Sequence, residues 1–360
     1  MLTRFRGTVA AFAIAVLALS ACSASASDDD ITLSVNYPVS EQHAATEAFH
    51  AFAEEVTERT DGAVTFDHNY NAALCELPAA IECVGNGTVD IGFATHAYTP
   101  ELSLANLSST AFLATDLQAA ADAHNQLHQE SAEYTDEFDD RGVDILFHLV
   151  NMPPLVALAD PIESLAELEG MSVRASGSMA SAMEGLGANA VATDPAEIYE
   201  SVERGVVQGL VLPLDSIVDL RLHEVAPHIY DIGEYVGIYA MSAYAINQSV
   251  WEGLPEDVQQ VMMEVAAEIS PTVTSDFLVP FTADTCLAAA DDGAIVEAIG
   301  PAERGEQWRV DGREAQLAAW IEGAERVADP QSSADAYIDL YNELAGEPTP
   351  PTHQICGDAE

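Results

Sequence analysis

Strand-like and helix-like patterns of apolar residues alternate over the first half of the chain. Residues 31–36 alternate apolar and polar side chains with a period of two, as a half-buried strand does. Between residues 41 and 60 the apolar positions follow helical spacing instead, until Asp61-Gly62 ends the pattern. Further strands are predicted at residues 64–69, 89–94 and 143–150, and further helices at residues 77–84 and 116–139. Strands that alternate with helices indicate a mostly parallel sheet in an α/β domain.

The alternation restarts after Met152-Pro153-Pro154 and predicts a second α/β lobe. Its strands are predicted at residues 155–159, 171–175 and 206–212, and its helices at residues 164–169, 178–186, 194–203 and 215–226. The apolar stretch at residues 235–246 is interpreted as a strand that returns to the first lobe, and amphipathic helices are predicted at residues 255–268 and 314–327. Two α/β lobes joined by chain crossings place a ligand cleft at the carboxyl ends of their strands.

The N-terminus has the pattern of an export signal. Arg4 and Arg6 precede an apolar run at residues 9–19, which is too short to span a membrane comfortably. The run ends in Leu19-Ser20-Ala21-Cys22, which resembles a bacterial lipobox. We therefore expect cleavage before Cys22 and attachment of lipid to it, which would anchor the exported protein to the outer face of the cytoplasmic membrane. The alternative is an ordinary secretory signal that ends near a chance cysteine.

These patterns divide the chain into five predicted parts. The first lobe combines a segment before the crossing with a segment after it, and so does the second lobe. The predicted boundaries are 1–21 for the signal peptide, 22–30 for a tether, 31–150 plus about 237–278 for lobe I, 151–236 plus about 279–330 for lobe II, and 331–360 for a C-terminal helix and tail.

The charge of the chain is strongly negative. It contains 60 acidic residues against 11 basic ones, all of them arginine, and the net charge is −49. Such a surface repels nucleic acids and anionic lipids, so we exclude a nucleic-acid partner. The acids are spread along the chain, which is typical of solvated faces and favours a solubility adaptation to salty surroundings.

The cysteines predict two disulfides. If Cys22 carries lipid, four of the five cysteines remain, and an export signal implies an oxidising compartment. Four cysteines allow three pairings, of which we favour Cys75–Cys83, a short local loop, and Cys286–Cys356, which would fix the proline-rich tail. A metal site is disfavoured because these cysteines have no C-x-x-C spacing and no histidine beside them. No metal and no other cofactor is therefore expected.

The segments of the chain that partly match catalytic motifs lack the spacing or the structural context that these motifs require. His223 and His228 are five positions apart with Pro227 between them, whereas a zinc-binding helix needs a spacing of four. The glycines of residues 185–190 follow a predicted helix rather than a strand, which does not suit a dinucleotide site. The chain has neither a G-x-S-x-G elbow nor any lysine for a phosphate loop. An exported α/β enzyme is thus the weaker hypothesis, and we expect no enzymatic activity.

Arg174 is the strongest candidate for a binding residue. It ends the predicted strand at residues 171–175, and Ala175-Ser176-Gly177 leads from it into a helix. A guanidinium beside a helix N-terminus offers an anion both a two-pronged donor and free backbone N–H groups. The alternative is that Arg174 pairs with one of the many carboxylates of the chain.

The segment from Gly170 to Ser178 resembles the G-x-x-x-R-x-x-x-S strand and turn of the TRAP (tripartite ATP-independent periplasmic) transporter solute-binding proteins, which include binders of C4-dicarboxylates. Further resemblances follow in the family's order and cover roughly residues 31–330. They lie at Arg59-Thr60-Asp61-Gly62, Gly87-Thr88-Val89-Asp90-Ile91-Gly92, Leu186-Gly187-Ala188, Ala196-Glu197-Ile198-Tyr199, Gly205-Val206-Val207-Gln208-Gly209 with Pro213, and Ile246-Asn247 through Trp251-Glu252-Gly253-Leu254-Pro255 to Gln259.

The resemblance implies a two-lobe, periplasmic-binding-protein-like α/β fold with chain crossings at the hinge. It also implies capture of a small organic acid outside the membrane, with the carboxylate bound by Arg174. Delivery would be to a two-subunit permease driven by an ion gradient. Two alternatives share this fold and remain open: a binding protein of an ATP-driven importer, and a ligand-sensing partner of a membrane receptor.

The site departs from the family pattern beside Pro213. Many members have an asparagine just before this proline, where this chain has Leu212. The resemblance therefore implies a more apolar pocket, suited to bulkier aromatic or branched monocarboxylates. Besides Arg174, Leu212 and Pro213, the predicted ligand contacts are loop residues at the strand ends, namely Tyr37, His96, Tyr98, Asn151 and Tyr239, with His43 as the weakest candidate.

Overall fold

The computed structural model of the protein describes residues 30–193, 197–238, 240–300, 305–346 and 348–359. Several predictions lie outside these residues. They are the signal peptide and the lipid anchor at Cys22, the start of the helix predicted from Asp194, and Tyr239 as a ligand contact.

The strands of the described residues form two separate sheets. The strands are β1 Ile31–Asn36, β2 Val64–Asn69, β3 Ile91–Thr95, β4 Val143–Val150, β5 Pro154–Leu158, β6 Ser172–Arg174, β7 Asn189–Val191, β8 Gly209–Pro213, β9 His228–Asp231, β10 Met241–Asn247 and β11 Ile295–Ala298. The first sheet has the order β2-β1-β3-β10-β4, and the second has the order β11-β9-β5-β8-β6-β7. Each sheet is the centre of one lobe.

The chain crosses between the sheets so that each lobe contains distant parts of the sequence. β10 inserts antiparallel between β3 and β4 of the first sheet, although it follows β9 of the second sheet. β11 returns to the second sheet, where it pairs in parallel with β9. The strands of each sheet lie within the ranges predicted for the corresponding lobe, whereas the boundaries between the lobes stay predictions.

The helices cover the faces of both sheets. They are α1 Ala44–Arg59, α2 Ala80–Gly85, α3 Leu117–Glu130, α4 Ala132–Asp139, α5 Gly177–Gly185, α6 Ile198–Glu203, α7 Leu214–Asp219, α8 Gly233–Val236, α9 Gln248–Gly253, α10 Glu256–Ile269, α11 Val279–Asp291, α12 Gly305–Gly323, α13 Pro330–Leu344 and α14 Thr352–Ala359. Within the described residues, no helix combines the length and the apolar character that crossing a bilayer requires.

Two predicted helices end earlier than their patterns indicate. The helix predicted at residues 116–139 breaks at Ser131, whose backbone is extended and whose side chain accepts a hydrogen bond from the N–H of Tyr134. Ser131 thereby acts as the N-cap of α4. The helix predicted at residues 215–226 ends at Asp219, and Arg221 soon afterwards adopts a left-handed conformation with φ 56°. Periodicity alone does not reveal such local breaks.

Aromatic residues of α1 form the centre of the first lobe. Phe49 and Phe52 have no exposed surface, and the ring of Phe49 lies 4.4 Å from that of Tyr244 on β10. The burial of each phenylalanine contributes about 1.5–3 kcal/mol. The helical spacing that predicted α1 therefore identifies the face that holds it against the sheet.

Gly237 sits where the chain crosses from the second sheet towards the first. Its φ is 83°, a conformation that side chains with a Cβ atom rarely adopt. A Cβ atom at this position would lie 2.2 Å from the carbonyl oxygen of Ala114. The crossing therefore requires glycine for both backbone conformation and space.

Both favoured disulfides are confirmed. Cys75 pairs with Cys83, and Cys286 of α11 pairs with Cys356 of α14. The C-terminal tail is thus folded as a helix against α11. Its position is also fixed by Asp231, which accepts a hydrogen bond of 2.9 Å from the backbone N–H of His353.

The two disulfides are expected to differ in their contribution to stability. The Cys286–Cys356 bond joins residues 70 positions apart, whereas Cys75–Cys83 spans eight. Because a longer closed loop restricts the unfolded chain more, replacing Cys286 and Cys356 by serine should lower the free energy of unfolding by about 4 kcal/mol. Replacing Cys75 and Cys83 should lower it by about 2.5 kcal/mol.

Urea unfolding of the two double variants measures this difference, with the wild type as reference. The matched control is the same pair of variants after reduction of the remaining disulfide, when the two proteins should unfold alike. A larger loss for the Cys75/Cys83 variant would contradict the loop-length argument.

Candidate functional site

A cleft with a volume of about 810 Å³ lies between the two lobes. Both sheets contribute to its walls, with Thr95 at the end of β3 on one side and Arg174 at the end of β6 on the other. Pro213, the last residue of the neighbouring strand β8, lines the same wall. The cleft is therefore at the carboxyl ends of parallel strands, as the sequence predicts.

Arg174 is held in the cleft wall by its strand. β6 pairs in parallel with β7 and β8, which places Arg174 opposite Val191 and Leu210. The side chain is only 6% exposed, and one of its terminal nitrogens donates a hydrogen bond of 3.4 Å to the carbonyl oxygen of Thr193. The Nε atom is buried and has no hydrogen-bond partner among the described residues.

The guanidinium of Arg174 forms no ion pair with any carboxylate of the described chain. The alternative of a purely structural ion pair therefore finds no support in the described residues. Because a buried cation without a counter-charge is costly, this arrangement favours an anion from outside. α5 begins three residues after Arg174, at Gly177, and its first turn also lines the cleft.

Four more of the predicted contact residues line the same cleft: Tyr98, Asn151, Leu212 and Pro213. Tyr98 is 51% exposed and lies on the lobe opposite Arg174, in the short helix that follows β3. The amide oxygen of Asn151 accepts a hydrogen bond of 3.0 Å from the hydroxyl of Ser242. Asn151 is therefore fixed at the point where the chain passes from β4 to β5.

Tyr37 and His96 lie outside the cleft lining, so their positions do not agree with the predicted contacts. Tyr37 has no exposed surface, packs beside Phe49, and makes a hydrogen bond of 2.7 Å with Nδ1 of His68. His96 is fully buried, with its Nδ1 3.2 Å from the carbonyl oxygen of Ala105. Both residues follow a strand end, but their side chains turn to the core, and we do not include them in the proposed ligand contacts.

Two further residues, His43 and Asp215, also line the cleft. His43 was the weakest of the predicted contacts, and Asp215 was not among them. His43 is the N-cap of α1, where its Nδ1 accepts a hydrogen bond of 3.1 Å from the N–H of Ala45. Its Nε2 lies 3.5 Å from Oδ2 of Asp215, in the first turn of α7 on the other lobe. The position of Asp215 two residues after Pro213 was the available signal, but in a chain with 60 acids it does not stand out.

A cluster of buried histidines lies behind the cleft wall of the first lobe. The rings of His96 and His124 lie 5.3 Å and 5.5 Å from that of His148. Burial lowers the pKa of His96 to about 4, and it lowers the pKa of His124 and His148 well below the ordinary value. These imidazoles are therefore neutral core residues at pH 7.

Comparisons with known proteins identify the family. The model of the DctP family, described as bacterial extracellular solute-binding protein, family 7, matches residues 35–278. A solute-binding protein of Roseobacter denitrificans is 26% identical over 274 residues, which is 74% of this chain and 80% of that protein. This family consists of solute receptors and is not an enzyme family.

Solved structures share the fold. A TRAP periplasmic solute-binding protein of Desulfovibrio salexigens aligns with a TM-score of 0.75 and 22% identity, covering 89% of this chain and 98% of that one. A TRAP solute-binding protein of Rhodoferax ferrireducens, in complex with copurified benzoate, aligns with a TM-score of 0.73 and 20% identity, covering 87% and 98%. The predicted two-lobe α/β fold is confirmed.

The buried histidines predict loss of stability in mild acid. An unfolded histidine titrates near pH 6.5, whereas His96 in the folded protein titrates near 4. The stability that depends on the neutral ring is complete above pH 6.5 and is lost as the pH falls towards 4, because the unfolded chain then binds more protons. His96 alone should account for a loss on the order of 3 kcal/mol across this window.

Urea unfolding of the wild type and of His96→Gln at pH 7 and pH 5 tests this prediction. The variant should be less stable than the wild type at pH 7. Its free energy of unfolding should fall less between pH 7 and pH 5, since the imidazole of His96, with its lowered pKa, is no longer present. Equal falls in the two proteins would show that His96 does not contribute to the pH dependence.

Proposed function

The chain belongs to the bacterial extracellular solute-binding proteins of family 7, and from this premise we propose that it captures a small organic acid around Arg174 and delivers it to a two-subunit TRAP permease. The observation that carries the proposal is the buried guanidinium of Arg174, which faces the cleft and has no carboxylate partner among the described residues. A carboxylate bound there would supply a negative counter-charge and accept hydrogen bonds from the N–H groups of the guanidinium.

The apolar part of the cleft supports a guest with a sizeable hydrocarbon body. Phe93, Met179 and Ile198 line it together with Leu212. Leu212 pairs with Leu155 of β5 and replaces a possible polar anchor beside Pro213. Aromatic and branched monocarboxylates are the acids that suit such a wall, and the benzoate bound to the Rhodoferax ferrireducens protein is one example of this class.

The proposed location is the outer face of the cytoplasmic membrane, with lipid on Cys22. The lipobox-like segment before Cys22 is the main support. The two disulfides agree with this location because structural disulfides are typical of oxidising compartments outside the cytoplasm.

Replacing Arg174 by alanine should abolish ligand binding while leaving the fold intact. Thermal unfolding against a panel of carboxylates that includes benzoate is the measurement. A ligand present at 100 to 1,000 times its dissociation constant should stabilise the wild type by roughly 2.7–4.1 kcal/mol. Arg174→Ala should show no such stabilisation, because the buried counter-charge for the carboxylate is gone.

Arg221→Ala is the matched control, because Arg221 is an exposed arginine that pairs with Glu224 on the surface. It should respond to the ligand like the wild type. If Arg174→Ala also keeps the full response, then Arg174 has a structural role and the proposed site is wrong.

Replacing Cys22 by serine should release the protein from the membrane. In bacteria that express the full chain, the wild type should fractionate with membranes and enter the detergent phase, since a bound lipid partitions into apolar surroundings. Cys22→Ser should lose this partitioning. The variant in which Cys75 and Cys83 are both serine is the control and should remain membrane-bound. If Cys22→Ser still enters the detergent phase, Cys22 does not carry the lipid anchor.

A further inference from the structure

The polar lining of the cleft has two opposite charges. Of the described residues that line it, Arg174 is the one arginine and Asp215 the one carboxylate. Both belong to the second lobe, at the ends of neighbouring strands. A guest whose only charged group is a carboxylate would pair with Arg174. The carboxylate of Asp215 would then face either the like charge or the apolar part of this guest.

Asp215 has one oxygen available to a guest. Its Oδ1 accepts a hydrogen bond of 2.8 Å from the N–H of Ser216, whereas Oδ2 makes no hydrogen bond among the described residues. Pro213 is the N-cap of α7, so the chain turn at the end of β8 directs the first turn of this helix to the cleft. The side chain is only 19% exposed, so Oδ2 would gain from a hydrogen-bond donor supplied by a guest.

His43 approaches Oδ2 of Asp215 without forming a hydrogen bond to it. Its Nδ1 accepts a hydrogen bond from the N–H of Ala45, so the neutral ring carries its proton on Nε2. The distance of 3.5 Å from Nε2 to Oδ2 of Asp215 is longer than ordinary hydrogen bonds of this kind.

Asp219 is a second carboxylate of α7, outside the cleft lining. It lies one helical turn after Asp215, and both burial and the charge of Asp215 raise the pKa of its carboxyl. A cation in the cleft would therefore pair with Asp215, the one carboxylate among the described lining residues. The opposite end, around Arg174, has the opposite preference.

The separation of the two charges suits a guest with both groups. Arg174 pairs with Leu210, whereas Asp215 follows Pro213, whose backbone lies about 10 Å further along β8, so the two side chains leave the backbone at different positions along the cleft wall. A guest with a carboxylate and a cationic nitrogen several bonds apart can reach both ends. Such a guest also has no net charge, so the net charge of −49 does not oppose its approach.

Building on the proposed function, we infer that the captured acid also carries a cationic nitrogen, which Asp215 binds while Arg174 binds the carboxylate. Asp215 is thus a specificity-determining residue that distinguishes amino acids with separated charges from simple carboxylic acids of the same shape.

The test compares acids of equal size that differ only in the terminal group. The pairs are 4-aminobutanoate with pentanoate, 5-aminopentanoate with hexanoate, 6-aminohexanoate with heptanoate, and 3-(aminomethyl)benzoate with 3-ethylbenzoate. Isothermal calorimetry with the mature protein at pH 7.5 should show at least tenfold tighter binding of the amino member in the pair of best length. Asp215→Asn should remove this preference without weakening the alkyl member, whereas the control Asp335→Asn, an exposed aspartate on α13, should keep it.

The other outcomes separate this inference from the proposed function. Equal binding of both members, or preference for the alkyl member, overturns the inference but leaves the proposed function intact if Arg174→Ala abolishes binding. An equal loss for both members in Asp215→Asn would assign Asp215 to lobe closure with His43 and would also overturn it. Failure of every amino member to bind overturns it as well, whereas binding that survives Arg174→Ala overturns the proposed function.

Discussion

The buried guanidinium of Arg174, which has no carboxylate partner among the described residues, is the constraint around which the candidate site is organised. A buried charge without a partner is destabilising by several kcal/mol, so the surrounding fold has to hold it in place. Two neighbouring strands fix its backbone, and the carbonyl of Thr193 gives only one long hydrogen bond. A carboxylate that enters the cleft therefore gains an interaction that the protein has left incomplete.

The charge of the whole chain and the charge of the cleft act over different distances. The net charge of −49 is distributed over the surface, where salt screens it beyond about 8 Å at physiological ionic strength. Inside the cleft, a guest lies within a few ångströms of Arg174, so the local charge of this residue outweighs that of the screened surface acids. The acidic surface can thus keep the protein soluble while the site binds an anionic group. By the same argument, the charge of Asp215, which lines the cleft, is screened less from a guest than the charges of the many acids outside it.

Much of the fold could be predicted from the sequence, because the helical spacing of α1 reflects burial on one face, and the apolar run at residues 143–150 reflects burial on both faces of a strand. Residues 31–36 and 143–150 form strands with the predicted bounds. Arg174 could be identified because a strand end, a turn with glycine and a helix start are all local features. The break at Ser131 was missed, since it depends on one side-chain cap within a continuous helical pattern.

The remaining site residues were harder to predict because the direction of a side chain depends on tertiary packing. Tyr37 and Tyr98 both follow a strand of the first sheet, yet Tyr37 packs beside Phe49 and Tyr98 projects into the cleft. His96 and Tyr98 are two positions apart in one short helix and face opposite sides. Asp215 and His43 approach each other only because the two lobes meet, which no local pattern reports.

The two lobes differ in what they offer to a guest, and this difference suggests an order of events. Both charged residues of the cleft lining, Arg174 and Asp215, belong to the second lobe, while the first lobe contributes polar and aromatic groups such as Thr95 and Tyr98. Charges act over longer distances than hydrogen bonds or packing, so the second lobe is suited to the first encounter. The first lobe has a firm wall, because the segment that carries Thr95 and Tyr98 also anchors His96 in the buried core. Closure would then bring this wall onto a guest that the second lobe has already oriented.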